Sequence, residues 1–211
     1  MLDLSLYVIT DRHLSLGRTN IEVVAKALEG GASVIQLREK DIPDREFYLE
    51  GLKIKPLVRS YGKLFLVNDR VDITQALDAD GVHLGQEDLP ISVARRLLGK
   101  GKIIGISVRS VEEAKRAVSE GADYLAVSGV FPTETKKDVG ETLGVEGVRR
   151  IREAVNIPLV GIGGINSHNA AEVIRAGADG VAVVSAVTMA PDVVRACREL
   201  LEAVQRARQE G

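Results

Sequence analysis

The stretch Gly177-Ala178-Asp179-Gly180-Val181 has three counterparts in this chain of 211 residues, and this repetition decides the fold. Each counterpart combines a glycine or aspartate, an alanine and a small or acidic residue just before an apolar run; the three are Gly30-Gly31-Ala32-Ser33-Val34, Leu77-Asp78-Ala79-Asp80-Gly81 and Gly121-Ala122-Asp123-Tyr124-Leu125. Equivalent positions lie 47, 43 and 56 residues apart. This spacing accommodates two strand–helix units, so the repeats predict alternate strands of one parallel sheet, each entered through a left-handed helix cap.

Other apolar runs supply the strands between the repeats, over residues 6–10, 64–68, 103–107 and 158–162. Amphipathic patterns between the strands predict helices over residues 21–29, 44–60, 71–77, 91–98, 111–120, 145–154, 169–176 and 193–207. Eight parallel strands and eight helices in a single domain, residues 1–211, predict a (β/α)8 TIM barrel of the α/β class. An open doubly wound sheet is the alternative, but no Gly-x-Gly-x-x-Gly pattern follows the first strand.

The composition limits the kinds of partner. A net charge of −2, 3% aromatic residues and no tryptophan argue against a nucleic-acid partner. No apolar stretch reaches membrane-spanning length, and the N-terminus has no basic leader, so no membrane partner is expected. The single Cys197 excludes a disulfide framework and is expected to pack as a small apolar residue. These features predict a soluble cytoplasmic protein, which could form a homo-oligomer.

Polar side chains follow four successive apolar runs, at the strand ends that share one rim of a barrel. After the second strand, Gln36, Arg38 and Lys40 alternate and should face the barrel mouth, where Arg and Lys suit phosphate oxygens. The alternative is a solvated strand end in which Glu39 neutralises its neighbours. Ser107 ends the fifth strand at the same rim.

Asp69 and Asp88 follow the third and fourth strands, which are neighbours in a barrel. With Asn68 and Gln86 nearby, these two carboxylates could hold a Mg²⁺ that keeps several waters and binds a substrate phosphate. Each aspartate could equally cap the helix that follows it. His83, inside the fourth strand, is expected to be a hydrogen-bonded core or mouth residue, because no second His or Cys lies at ligand spacing.

Two later segments suggest a second anion site. The long polar loop over residues 128–138 carries Thr133, Thr135 and Lys136. Its length and composition suggest a second anion site or a lid; the alternative is a disordered, solvated loop. Gly161-Ile162-Gly163-Gly164-Ile165-Asn166 follows the seventh strand, and Ala182-Val183-Val184-Ser185-Ala186 lies at the eighth. Many barrels bind a phosphate through backbone N–H groups of these two loops, so a monophosphate site is predicted there.

Taken in order, the motifs resemble the thiamine-phosphate synthase family over essentially the whole chain. They are Gln36-Leu37-Arg38-Glu39-Lys40, Asn68-Asp69, Val82-His83-Leu84-Gly85-Gln86-Glu87-Asp88-Leu89, Thr133-Glu134-Thr135-Lys136 and Gly161-Ile162-Gly163-Gly164-Ile165. The resemblance implies a transferase that joins 4-amino-2-methyl-5-hydroxymethylpyrimidine diphosphate to 4-methyl-5-(2-phosphoethyl)thiazole, giving thiamine phosphate and pyrophosphate. One departure is visible, since Ser128-Gly129 stands where the family commonly has Gly-Pro.

The resemblance also implies roles for individual residues. The pyrimidine diphosphate would be bound by Gln36, Arg38, Lys40, Asn68, Ser107 and Lys136, among which Arg38, Lys40, Ser107 and Lys136 would be catalytic. Mg²⁺ would be held by Asp69 and Asp88. The thiazole phosphate would be bound by Thr133, Thr135, Gly164, Val184 and Ser185. A thiazole tautomerase of the same barrel family and a non-catalytic barrel that binds thiazole or thiamine phosphate are the alternatives.

Overall fold

A computed structural model describes residues 2–133 and 142–210 of the chain. Its strands close into one parallel barrel in sequence order, which confirms the predicted TIM barrel. The strands are β1 Leu6–Ile9, β2 Val34–Leu37, β3 Leu64–Asn68, β4 Gly81–Leu84, β5 Ile103–Val108, β6 Tyr124–Ser128, β7 Leu159–Ile162 and β8 Gly180–Val183. Pairing of β1 with both β2 and β8 closes the ring.

Helices surround the barrel close to their predicted positions. They are α1 Asn20–Glu29, α2 Asp44–Ser60, α3 Val71–Ala76, α4 Ile91–Leu98, α5 Val111–Ser119, α6 Gly144–Ala154, α7 Ala170–Arg175, α8 Ser185–Thr188 and α9 Val193–Glu210. The sequence did not predict α8 or the short 3-10 helix Arg12–Leu14. Segments of three or four residues are too short to show a helical period.

The repeated motif has a structural cause. The Asp179 carboxylate accepts a hydrogen bond from the backbone N–H of Leu159, the first residue of the preceding strand, at 2.8 Å. The other three repeats form the same link, from Phe65 N to Asp80, from Ile104 N to Asp123 and from Leu6 N to the Ser33 hydroxyl. Each acceptor therefore fixes the start of its own strand against the strand before it.

The turn before each acceptor is also repeated. The residue two positions before each acceptor in the sequence has a positive φ angle. These residues are Gly31 (98°), Asp78 (48°), Gly121 (93°) and Gly177 (102°). This left-handed conformation favours glycine, and aspartate is among the few other residues that tolerate it. The predicted left-handed helix caps are confirmed.

Apolar residues fill two separate cores. The larger core lies between the strands and the surrounding helices. It includes Cys197, which is fully buried with its thiol pKa raised to about 12 by burial, so the expected apolar packing is confirmed. The smaller core fills the barrel itself and contains Leu4, Tyr7, Ile9, Val34, Leu66, Tyr124, Ala126, Val160 and Ala182. Within residues 2–133 and 142–210, no helix is long and apolar enough to cross a membrane.

Candidate active site

The mouth of the barrel is lined by half-buried residues at the carboxyl ends of the strands. Asn68 ends β3, Ser107 lies near the end of β5, and Val184 follows β8 directly. Ser107 pairs in register with Ala126 of the barrel core, and Val184 packs against that core, so both lie on the inner side. These three predicted site residues therefore share one rim.

Gln36 in β2 and Arg38 and Lys40 just after it reach different depths at this rim. Gln36 is buried inside the barrel, where its Nε2 donates to the Tyr7 hydroxyl at 2.6 Å. Arg38 lies near the Asp11 carboxylate, with Nη1 and Oδ2 3.4 Å apart. Lys40 extends furthest out, and its Nζ donates to Asp69 Oδ2 at 2.7 Å. The predicted alternation thus gives one polar group inside the barrel and two cations at its mouth.

Glu39 pairs with neither Arg38 nor Lys40, so the neutralisation expected in the alternative interpretation is wrong. Its buried side chain accepts from Asn20 Nδ2 at 2.6 Å and forms an ion pair with Arg12 at 3.4 Å. Arg12 also binds Glu46 and Glu50 of α2. Burial raises the pKa of the Glu39 carboxyl above its usual range, although these hydrogen bonds and Arg12 oppose the rise. Glu39 thus fixes the end of β2 through residues outside the barrel mouth. Arg38 and Lys40 do not pair with it and lie at the mouth.

The Asp69 and Asp88 side chains share a hydrogen bond across the ends of β3 and β4. Burial alone would raise the pKa of Asp69, but hydrogen bonds with Lys40 and Asp88 outweigh it and lower the pKa. Burial and the shared hydrogen bond raise the pKa of Asp88. Asp88 is therefore the member of the pair that takes up a proton first as the pH falls, and a divalent cation could take the place of that proton.

Neither aspartate caps the following helix. The N-cap of α3 is Arg70 and that of α4 is Pro90, and neither cap forms a side-chain hydrogen bond. Asp88 instead accepts from the backbone N–H of Gly85 at 2.6 Å within its own loop. Asp69 has a left-handed backbone, with φ at 59°. Such strain in a non-glycine residue is typical of functional sites.

His83 is hydrogen-bonded on both ring nitrogens, as predicted for a residue of the barrel mouth. Nδ1 lies 2.7 Å from the Tyr124 hydroxyl and Nε2 lies 2.9 Å from the Ser107 hydroxyl. Among the residues that the structure describes, no group of three or more His, Cys, Asp or Glu side chains is placed to hold a metal. A cation bound between Asp69 and Asp88 would take its remaining ligands from water and substrate.

The glycine turn after β7 packs against the loop after β6. Gly163 and Gly164 have positive φ values of 109° and 62°. A Cβ atom on Gly164 would collide with the Pro132 carbonyl oxygen, and Phe131 N donates to Gly163 O at 3.0 Å. Gly164 is therefore required by the packing of its own chain.

Two of the predicted monophosphate residues lie at the strand ends next to this turn. Thr133 is half-buried in the loop after β6, and Ser185 begins α8, with only Val184 between it and β8. Because β7 and β8 are paired, the glycine turn and the start of α8 lie at adjacent strand ends. Thr135 and Lys136 fall outside the described residues. Among the described residues, the rim thus has one end with cations and carboxylates and another end built from the glycine turn, Thr133 and Ser185.

The sequence did not predict a role for Tyr7 or Tyr124. Their hydroxyl oxygens lie 2.8 Å apart at the centre of the barrel, beneath Gln36 and His83. One sequence feature could have indicated this pair. Tyr124 of β6 is a bulky polar residue next to Gly105 of β5, where a Cβ atom would overlap the tyrosine ring.

Comparisons with known proteins agree with this geometry. A family model described as thiamine monophosphate synthase matches residues 6–187. The thiamine-phosphate synthase of Moorella thermoacetica is 55% identical over 203 residues, covering 96% of this chain and 97% of that protein. The enzyme of that name from Haloarcula marismortui is 50% identical over 211 residues, covering 99% and 100%.

A solved structure extends the similarity to the backbone. The thiamine phosphate pyrophosphorylase of Pyrococcus furiosus superposes with a TM-score of 0.90 at 50% identity, covering 98% of each chain. Near-complete coverage and high identity leave no part of the barrel outside the similarity. The chain therefore belongs to the thiamine monophosphate synthase family.

Proposed function

We propose that this chain condenses 4-amino-2-methyl-5-hydroxymethylpyrimidine diphosphate with 4-methyl-5-(2-phosphoethyl)thiazole by a dissociative, Mg²⁺-assisted mechanism. That it is a transferase forming thiamine phosphate follows from its family. The observation that carries the residue assignment is the ion pair of Lys40 with Asp69, beside Asp88, at the same rim as Asn68 and Ser107. Such a cluster of cations and carboxylates suits a metal-bound diphosphate.

Asp69 and Asp88 fit a Mg²⁺ ion in their chemistry. Burial and the neighbouring Asp69 raise the pKa of Asp88, so added positive charge at this site would favour the ionised form of both side chains. Hard oxygen ligands and room for waters and phosphate oxygens suit this metal. When bound, Mg²⁺ would neutralise charge on the departing pyrophosphate.

The pyrimidine diphosphate would lie with its phosphates on the cations and its ring on the uncharged groups. Arg38, Lys40 and Lys136 would bind the phosphate oxygens, while Gln36, Asn68 and Ser107 would face the ring. As the carbon–oxygen bond breaks, its electron pair leaves with pyrophosphate, and the ring's amino group stabilises the methylene cation. The cations stabilise the growing negative charge on the leaving group.

The thiazole phosphate would occupy the other end of the rim, with its phosphate on the backbone near Gly164 and Ser185. Thr133, Thr135 and Val184 would complete that site. The thiazole nitrogen would then face the methylene carbon and form the new carbon–nitrogen bond. Positioning and charge stabilisation suffice, so the reaction needs no protein nucleophile.

Release of pyrophosphate in the presence of both substrates and Mg²⁺ tests this proposal. We expect release that depends on the thiazole phosphate and stops when EDTA removes the metal. Isomerisation of the thiazole without pyrophosphate release would identify a tautomerase, and binding without either reaction would identify a non-catalytic barrel. We further propose that the enzyme acts in the cytoplasm on small phosphorylated molecules, without nucleic-acid or membrane partners.

A further inference from the structure

A continuous row of hydrogen bonds crosses the interior of the barrel. Gln36 Nε2 donates to the Tyr7 hydroxyl at 2.6 Å, and the Tyr7 and Tyr124 hydroxyl oxygens lie 2.8 Å apart. The Tyr124 hydroxyl lies 2.7 Å from His83 Nδ1, and His83 Nε2 lies 2.9 Å from the Ser107 hydroxyl. The two ends of this row are residues that we assign to the pyrimidine ring, while the three between them carry no role in the proposed mechanism.

The barrel is built to accommodate this row. Tyr7 and Tyr124 are almost completely buried, which is costly for a hydroxyl that lacks a partner. Gly105 lies beside Tyr124 in the register of β5 and β6, and any side chain there would overlap the tyrosine ring. The absence of a side chain at Gly105 thus makes room for the Tyr124 phenol inside the barrel.

The row has one direction. Burial raises the pKa of Tyr7 and of Tyr124, so each remains a neutral phenol with a single hydrogen to donate. Tyr7 accepts from Gln36, so the only arrangement of this row in which each hydrogen has an acceptor sends the Tyr7 hydrogen to Tyr124 and the Tyr124 hydrogen to His83 Nδ1. In this arrangement His83 carries its hydrogen on Nε2 and donates it to the Ser107 oxygen, which lies 2.9 Å away.

This direction fixes what the two ends offer to a ligand. Gln36 uses an N–H inside the barrel and keeps its Oε1 as an acceptor. Ser107 accepts from His83 and keeps its hydroxyl hydrogen as a donor. A 4-aminopyrimidine has the matching edge, with an amino N–H beside a ring-nitrogen lone pair. A 4-oxopyrimidine has the opposite edge, with a carbonyl oxygen beside a ring N–H.

We propose that Tyr7, Tyr124 and His83 are positioning residues that hold Gln36 as acceptor and Ser107 as donor, and thereby select 4-amino over 4-oxo pyrimidines. This inference rests on the proposed function, which brings the ring against Gln36 and Ser107. Without the row, the Gln36 amide could turn over and the Ser107 hydroxyl could rotate independently. Each end could then pair with either pyrimidine.

Binding of two unreactive probes to the full-length protein tests the proposal. The probes are the monophosphate esters of the 4-amino and 4-oxo pyrimidines, which lack pyrophosphate as a leaving group. Calorimetry with wild type, Tyr7→Phe and Tyr124→Phe gives the ratio of the two dissociation constants for each protein. We expect wild type to prefer the 4-amino ester by about 100-fold, and each variant to reduce that preference about tenfold.

Tyr48→Phe is the matched control, because Tyr48 lies on α2 outside the barrel. It should leave the preference unchanged. Equal weakening of both esters in the two variants would mean a merely structural role and would overturn the proposal, as would a wild type without preference. The two variants break separate links, so a folding defect in one leaves the other to decide. Failure of the proposed function would show separately, as absence of pyrophosphate release by wild type.

Discussion

Lys40 Nζ lies 2.7 Å from Asp69 Oδ2, and the same aspartate shares a hydrogen bond with Asp88. A cation, an ionised carboxylate and a carboxyl group of raised pKa thus meet at the ends of β2, β3 and β4. Lys40 supplies a single positive charge to this group. A metal ion would supply two, and its binding would favour the ionised form of Asp88.

Asp69→Asn and Asp88→Asn should separate a metal role from a structural one. Each change keeps the side-chain shape and removes one negative charge from the proposed Mg²⁺ site. We expect kcat to fall about 100-fold or more, on the scale of losing one charge-stabilising group. Melting temperature should change little, because neither residue caps a helix. Turnover and thermal melting on the same preparations give both quantities.

Asp72→Asn is the control for this pair. Asp72 lies on α3, is exposed and forms an ion pair with Arg70. The substitution removes the same charge close to the site but should leave kcat and its Mg²⁺ dependence unchanged. Comparable losses of activity in Asp72→Asn and Asp69→Asn would rule out a specific metal role for Asp69.

The fold was predictable because its determinants are local and repeated. Ser33, Asp80, Asp123 and Asp179 each bond to the start of the preceding strand, and a left-handed turn lies just before each. A signal that recurs four times fixes the number and order of the units. The ends of the predicted helices differ from the structure by up to three residues, because helix termini depend on caps and packing.

The site was predictable only where it follows from strand ends. The polar cluster after the second apolar run placed Gln36, Arg38 and Lys40 at the rim, although β2 ends at Leu37, before the two cations. The partners of Glu39 come from other elements and have no local signal. Tyr7 and Tyr124 are 117 residues apart, and they meet only because the sheet closes. Contacts across a closed barrel depend on its register, which the sequence pattern does not specify.

Lys136→Ala tests the cation that we assign to the loop after β6, although this residue lies outside the described part of the chain. If Lys136 stabilises the departing pyrophosphate, its effect should be greater in the transition state than in substrate binding. We expect kcat to fall by about tenfold to a thousandfold and the dissociation constant of the pyrimidine diphosphate to change less. Lys137→Ala, with the same loss of charge, should retain most of the activity. Wild-type kcat in Lys136→Ala would contradict the assignment.

Asp78 should make stability depend on pH. Hydrogen bonds from Lys102, Arg59 and Lys55 hold its pKa well below the ordinary value of 3.8. The unfolded chain therefore takes up this proton first as the pH falls, and that uptake favours unfolding. The ionised Asp78 side chain therefore stabilises the fold fully at pH values above its pKa in the unfolded chain. This stabilisation is lost as the pH falls towards the pKa of Asp78 in the folded protein.

Asp78→Asn should therefore melt below wild type at neutral pH, and the difference should shrink as the pH is lowered from about 5 towards 2. Asparagine also tolerates the left-handed backbone at this position, so the change mainly removes charge. Glu202→Gln, on the exposed face of α9, provides a control with the same change in net charge. A difference that persists unchanged at low pH would assign the effect to backbone strain instead.

Gly164→Ala and Gly62→Ala should separate backbone strain from packing at the glycine turn. Both glycines have nearly the same positive φ, 62° and 65°, so an alanine costs about 1–2 kcal/mol at either position. A Cβ atom at Gly62 meets open space, whereas at Gly164 it collides with the Pro132 carbonyl and crowds Phe131. We expect Gly164→Ala to reduce the free energy of unfolding by about a further 1–3 kcal/mol.

Gly164→Ala should also raise the KM for thiazole phosphate, because the loops after β6 and β7 must move apart. Denaturant unfolding and steady-state kinetics measure the two effects. Equal destabilisation by both substitutions would show that the loop after β6 moves to accommodate the Cβ atom without a cost in stability. An equal rise in KM for both substrates would contradict the separation of the rim into two ends.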